Sequence, residues 1–221
     1  MNHETALSKA KDIAEHILAP AAGQHDKEGR FSEESAGLGQ AGLLGLMLPS
    51  EIGGAGLGPR SFAAVTATIA QADASAAMVY LMHVSAAATI AAARPGAAVA
   101  SILAEIARGQ HLSTLAFSEA GSRSHFWTPI SRARRNGAGC YLTAKKSWVT
   151  SAGHAQSYVV SSLSPEGAGP TDSTLYLVPA GAEGLSVSGP WDGIGAEALA
   201  LSPMPSHGPA TDRPLAPAGT R

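Results

Sequence analysis

Apolar residues recur at helical spacing over the first 110 positions and at every second position beyond them. Ala6, Ile13, Ile17 and Leu18 fall near one stripe, with Lys9, Lys11, Asp12 and Glu15 between them. This predicts an amphipathic helix over 5–18 that Pro20 and Gly23 end. Ser32 is placed to cap a second helix over 33–41, closed by Gly42. The stretch 49–59 holds Gly53, Gly54, Gly56 and Gly58, so its backbone can approach a neighbour closely. Ser61 is the predicted cap of a helix over 62–72, and Asp73 of an alanine-rich one over 74–93. Arg94-Pro95-Gly96 breaks the pattern, which resumes over 97–107 and stops at Gly109.

From Leu112 the spacing predicts strands over 112–118, 127–134, 139–150, 156–163, 173–179 and 184–189. Asn136-Gly137 and 165–170 read as turns. Helices followed by a run of strands define an α+β chain. We expect an N-terminal all-α domain over 1–110 and a β-barrel or sandwich-like middle domain over 111–200. The tail, 201–221, is proline-rich with almost no large apolar residues, and is expected to be disordered.

Composition narrows the function. The 221 residues are 45% hydrophobic, enough for one or two domains with a real core. A formal net charge of −2 without a basic run argues against nucleic-acid binding. Arg132, Arg134 and Arg135 read as a solvated hairpin end rather than a phosphate site. A lone cysteine, Cys140, excludes an internal disulfide and fits packing in a reducing compartment. The first residues carry charge and no apolar leader core, so a cytoplasmic location is expected. The stretch 74–93 is long enough to span a bilayer, but alanine, serine, threonine and His83 dominate it. It reads as a buried helix, with no membrane span. Met78 and Met82 fit core filling better than an acyl pocket, and His83 fits a satisfied buried histidine better than a ligand. The histidines have no metal-ligand spacing, and no metal is expected. Gly121-Ser122-Arg123-Ser124-His125 is not a hydrolase nucleophile elbow.

The candidate chemistry lies in 115–151. A strand carrying Leu115 and Phe117 runs into Gly121-Ser122, which frees backbone N–H groups and the hydroxyls of Ser118, Ser122 and Ser124 for a polar or anionic ligand. In the second half, period two puts Leu142, Ala144, Lys146, Trp148 and Thr150 on one face. An aromatic plane beside a hydroxyl suits a flat heterocycle, although a strand tryptophan is more often packing.

These stretches resemble the flavin-binding strands of the acyl-CoA dehydrogenase family. Ser118-Glu119, then Gly121-Ser122, matches its Thr/Ser-Glu-Pro and Gly-Ser-Asp elements. Residues 144–151 match its Gly-x-Lys-x-Trp-Ile-Thr-Asn element. Leu48-Pro49-Ser50-Glu51-Ile52-Gly53-Gly54 and Trp191-Asp192-Gly193-Ile194-Gly195 resemble two further elements, in the family's order. Ala120, Arg123 and Ser151 replace the family's Pro, Asp and Asn, and His125-Phe126-Trp127 is bulkier than its pattern, which points to a divergent branch.

The resemblance implies FAD as cofactor, an acyl-CoA or other acyl thioester as substrate, an electron-transfer acceptor, and a homo-oligomer in full-length members. It implies cofactor-binding roles for Ser118, Gly121, Ser122, Trp148, Val149 and Thr150, and substrate-binding roles for Ser122 and Ser124. In such enzymes a carboxylate removes the α-proton while the β-hydrogen leaves as hydride to the flavin. That carboxylate is expected from a C-terminal helical domain which this chain lacks, so the catalytic residue is unassigned and Glu119 is not appointed to the role. A truncated or frame-shifted end is expected. The alternatives are a non-catalytic flavin- or acyl-binding remnant, or a flavin-dependent monooxygenase on the same scaffold.

Overall fold

The computed structural model describes residues 1–28, 32–93, 96–123, 125–136, 139–187, 204–205 and 209–210. Helices α1 (His3–Ile13), α2 (Ala19–Glu28), α3 (Ser32–Gln40), α4 (Pro59–Ala72), α5 (Ala74–Ala92) and α6 (Ala97–Ala107) precede every strand. The first departs from expectation: neither Pro20 nor Gly23 ends it. A π-helical turn, Ala14–Leu18, leads straight into α2, and the Ala19 N–H reaches back to the Ala14 carbonyl. Pro20 therefore falls in the first turn of a shifted register, where a missing N–H breaks no helix. Helix α4 also starts earlier than predicted. Gly58 is its cap and Pro59 its first residue, while Ser61 lies inside and its Oγ meets His3 Nδ1 at 2.9 Å, tying α4 to α1.

Asp73 does cap α5. Its Oδ1 accepts the Ala76 N–H at 2.9 Å, and its Oδ2 lies 2.5 Å from Nδ1 of the buried His25. Among the described residues α5 is the one helix long and apolar enough to cross a membrane. It is apolar on every side because it is packed on several. Ala76, Tyr80 and Val84 join the core of the helical half, with Leu38, Leu43, Val65 and Ile69. Further along, Ala86, Ala87 and Ile90 pack with Leu103 and Ile106 against Val159 and Leu177 of the strands. The glycine-rich loop between α3 and α4 makes its close approach to its own chain. A Cβ on Gly54 would stand 2.1 Å from the Leu48 carbonyl oxygen, and the Gly56 N–H donates to that same oxygen at 2.9 Å.

Strands β1 (Ser113–Ala116), β5 (Ser157–Leu163) and β6 (Ser173–Pro179) form one sheet in the order β1-β5-β6, with β1 parallel and β6 antiparallel to β5. The chain between β1 and β5 holds the hairpin of β2 (Ala133–Asn136) and β3 (Gly139–Leu142), then β4 (Lys145–Lys146). Two pieces of the tail expected to be disordered pair with this assembly: β7 (Met204–Pro205) with β4, and β8 (Pro209–Ala210) with β3. Its remaining residues, and Trp191-Asp192-Gly193-Ile194-Gly195, lie outside the described residues. Of the predicted strand 127–134 only 133–134 is strand, after a bridge at Arg132, because Ile130 and Ser131 spend their N–H groups on the Glu119 carboxylate and not on a ladder. The predicted strand 184–189 is no strand over its described part, 184–187.

Candidate functional site

The strand expected over 139–150 stops at Lys146, and the reason lies at the site. Trp148 has φ +55° and Ser151 φ +59°, left-handed backbone that bulky residues rarely adopt. Alternation holds for Leu142, Ala144 and Lys146, all buried, and then fails. Trp148 is 57% exposed while Val149 and Thr150 are both buried, so Trp148 and Thr150 do not share the predicted face. Each such conformation costs about 1–3 kcal/mol and persists where its surroundings hold it. Here the Ser147 N–H donates to Ser118 O at 2.9 Å, and the Gly153 N–H to Tyr158 Oη at 2.9 Å. Val149 and Ala152 sit in the β core with Ala116, Leu142 and Tyr158. The Val149 side chain is therefore core, and only its backbone remains for a ligand.

The Ser147–Ser118 bond brings the two predicted segments side by side. At the other end of the first, Gly121 turns at φ +97° and Ser122 is buried. Many of the nearby hydroxyls are spent inside the chain. Ser113, Ser131, Ser157, Ser161 and Ser162 all make hydrogen bonds within the chain. Those of Thr114, Ser118, Ser122 and Thr150 make none among the described residues, although Thr114 and Thr150 are only 1% and 3% exposed. Ser124 lies outside the described residues. Beside the turn, His125, Phe126 and Trp127 form a ring cluster, with centroids 5.1 Å apart for His125–Trp127 and 5.0 Å, edge to face, for Phe126–Trp127. Both Phe126 and Trp127 are exposed.

What the sequence left unmarked is the charge buried beneath this surface. Lys146 is 0% exposed, and its Nζ donates to Glu119 Oε1 and to Ser161 O, both at 2.5 Å. Burial opposes charge on Glu119, but the Lys146 ammonium and the Ser131 donors outweigh it and hold the carboxyl below its usual range. Burial pulls Lys146 below the usual lysine range, against the pull of Glu119. Lysine at one position and Ser-Glu at another carry no signal of contact; only the Glu119–Lys146 bridge between their backbones creates it. A second chain runs between the two halves. Glu105 Oε2 lies 3.4 Å from His111 Nδ1, His111 Nε2 lies 2.8 Å from Ser157 Oγ, and Ser157 Oγ donates to Ser113 Oγ at 2.9 Å. His83 is buried as expected, but with one nitrogen satisfied and Nε2 without a partner. The arginine cluster reads as expected at Arg132 and Arg135. Arg132 bonds the carbonyls of Ser164, Pro165 and Gly167, and Arg135 Nε pairs with Glu166 at 2.5 Å, on the β5–β6 loop.

Helices that lead, followed by a small β assembly whose strand ends carry the unbonded hydroxyls, define an α+β architecture with a recognisable order. Residues 2–110 match the family model described as acyl-CoA dehydrogenase, N-terminal domain, and residues 114–205 the one described as acyl-CoA dehydrogenase, middle domain. The chain belongs to the acyl-CoA dehydrogenase family. It is similar to the mitochondrial short-chain specific acyl-CoA dehydrogenase of Bos taurus, 27% identical over 198 residues, covering 89% of this chain and 48% of that protein. The chain thus spans about half the length of the curated relatives it matches. The fold is that of glutaryl-CoA dehydrogenase from Mycobacterium smegmatis, with TM-score 0.82 and 20% identity over 99% of this chain and 56% of that one. It is also that of an acyl-CoA dehydrogenase complexed with FAD from Bacillus anthracis, with TM-score 0.83 and 21% identity over 96% of this chain and 38% of that one.

Proposed function

We propose that this chain binds FAD at the ends of β1 and β4 and supplies the N-terminal and middle parts of an oxidoreductase acting on an acyl thioester. One observation carries the reading. The hydroxyls of Ser118, Ser122 and Thr150, which the family pattern assigns to the ligand, form no hydrogen bond among the described residues, although Ser122 and Thr150 are buried. The residues fit the group. Trp148 offers an exposed ring plane, Thr150 and Ser118 offer hydroxyls for a flavin's polar edge, and Ser122 with the Gly121 turn offers donors for the pyrophosphate. When bound, FAD supplies the hydride acceptor for α,β-dehydrogenation. The acyl-CoA dehydrogenase of known structure complexed with FAD supports the cofactor, and the short-chain specific relative supports the substrate class.

Glu119 takes no part as a base in this reading, since both its oxygens are spent on Lys146, Ile130 and Ser131. We assign no catalytic base within the chain. The reading includes an electron-transfer acceptor, a cytoplasmic setting, assembly into an oligomer, and a division into a helical domain over 1–110 and a flavin-binding domain over 111–200. The test is titration of the purified chain with FAD, followed by gel filtration and the flavin absorption spectrum. Retained FAD, with affinity lowered about tenfold or more in Trp148→Ala and Thr150→Val, is the expected result. A folded chain that retains no FAD overturns it.

A further inference from the structure

We propose that Glu119 and Lys146 are a positioning pair, whose buried contact sets the backbone turn that presents Trp148 to solvent and keeps Thr150 inside. Four segments meet at this pair. Lys146 Nζ on β4 donates to Phe117 O at 3.2 Å and Glu119 Oε1 at 2.5 Å, both just past β1. It also donates to Ser161 O at 2.5 Å and Ser161 Oγ at 3.2 Å on β5. Glu119 Oε2 accepts the N–H groups of Ile130 and Ser131 at 2.9 and 2.8 Å, and its Oε1 accepts Ser131 Oγ–H at 2.5 Å, ahead of β2. Every polar atom of both head groups is hydrogen-bonded, and together they tie β4 to the segments after β1, before β2 and on β5.

Trp148 adopts its left-handed conformation two residues after Lys146. Such backbone needs fixed anchors on both sides. On the far side these are the packed Val149 and Ala152 and the Gly153–Tyr158 bond. On the near side they are the Lys146 head group and the Ser147–Ser118 bond, which the pair holds in register through Glu119. An apolar pair would fill the same volume, but only the ammonium and carboxylate impose direction on the strand ends they join. The consequence for cofactor affinity rests on the flavin reading above; the effect on Trp148 does not.

The experiment uses the full chain with Trp127→Phe and Trp191→Phe, which leaves Trp148 as the sole tryptophan of three. Emission and acrylamide quenching of Trp148, together with FAD affinity, are measured for Lys146→Met, Lys146→Arg, Ser131→Ala and, as a control in the helical core, Ile69→Val. Lys146→Met is expected to change the quenching constant about twofold and to weaken FAD about tenfold, the usual size of a supporting-residue effect. Lys146→Arg restores part of both, and Ser131→Ala moves both less but in the same direction. Ile69→Val moves neither, whatever its melting temperature. If Lys146→Met does not fold, Ser131→Ala decides. Unaltered quenching in the folded variants overturns the positioning role, even where FAD binds. A chain that retains no FAD, yet whose Trp148 responds to Lys146→Met, overturns the flavin reading and leaves the positioning role standing.

Discussion

The Ser113 N–H donates to His83 Nδ1 at 3.0 Å, so the middle of α5 is hydrogen-bonded to the first residue of β1. The Ser113 carbonyl oxygen lies 3.2 Å from the same nitrogen, so Nδ1 accepts from the Ser113 N–H in one tautomer and donates to the Ser113 carbonyl in the other, while Nε2 is buried. The two halves of the chain are joined here by a buried histidine, whose charged form burial disfavours.

Burial depresses His83 from 6.5 to about 4, with the nearby His111 adding to the effect. The unfolded chain therefore binds the proton between those values and the folded chain does not, so unfolding free energy rises with pH across the window. The contribution is complete above pH 6.5 and is lost as the pH falls towards 4. We expect urea unfolding at pH 5 to give a stability about 2 kcal/mol below that at pH 7.5 from this residue alone. His83→Gln, which keeps an acceptor but cannot titrate, should flatten that slope. An equal slope in the variant would remove His83 as its source.

Gly54 tests the loop between α3 and α4. Its Cβ would meet the backbone of Leu48, carbonyl carbon and oxygen both, within 2.5 Å. No side-chain rotation relieves a clash with backbone. Gly54→Ala should cost about 2–3 kcal/mol or more, read from denaturant midpoints at unchanged slope. Gly181, with open space at its Cβ and no left-handed backbone, is the control.

Much of the helical half was legible because local chemistry decided it. Asp73 capping α5, the stop at Gly42 and the span of α6 follow from side chain and backbone preferences within a few residues. Pro20 does not end the helix because a π turn ahead of it shifts the register that makes proline harmful, and no local spacing marks that turn. The site was legible as a list of residues but not as a surface. Period two assumes strand backbone throughout, and the left-handed turn at Trp148 breaks it, sending the ring outward and Val149 into the core. The cause of that turn is contact between residues far apart in sequence, Lys146 with Glu119 and Ser161, which no spacing rule contains.

Ser151 isolates the strain without touching the proposed ligand groups. It lies at φ +59° and is buried, where glycine adopts the same backbone at no steric cost. Ser151→Gly should relieve about 1 kcal/mol and raise the melting temperature by about 2–4 °C for a chain of this size. A lower melting temperature would mean that the Ser151 side chain stabilises more than its backbone conformation costs.

Asp73 holds two things at once, and substitution can separate them. Its Oδ1 caps α5 through the Ala76 N–H, and its Oδ2 meets His25 in a site where both residues are buried. Asp73→Ala removes both. We expect a loss of about 3 kcal/mol, the cap accounting for about 1 and the buried contact for the rest. Asp73→Ser keeps an N-cap oxygen but withdraws the carboxylate from His25, and should recover only the smaller share. Should Asp73→Ser recover nearly all the stability, the contact with His25 would be incidental and α5 would be held at this end by its cap alone. If Asp73→Ser is no better than Asp73→Ala, the link from α2 to α5 through His25 sets the position of α5, and with it the His83–Ser113 bond at the far side of the helical half.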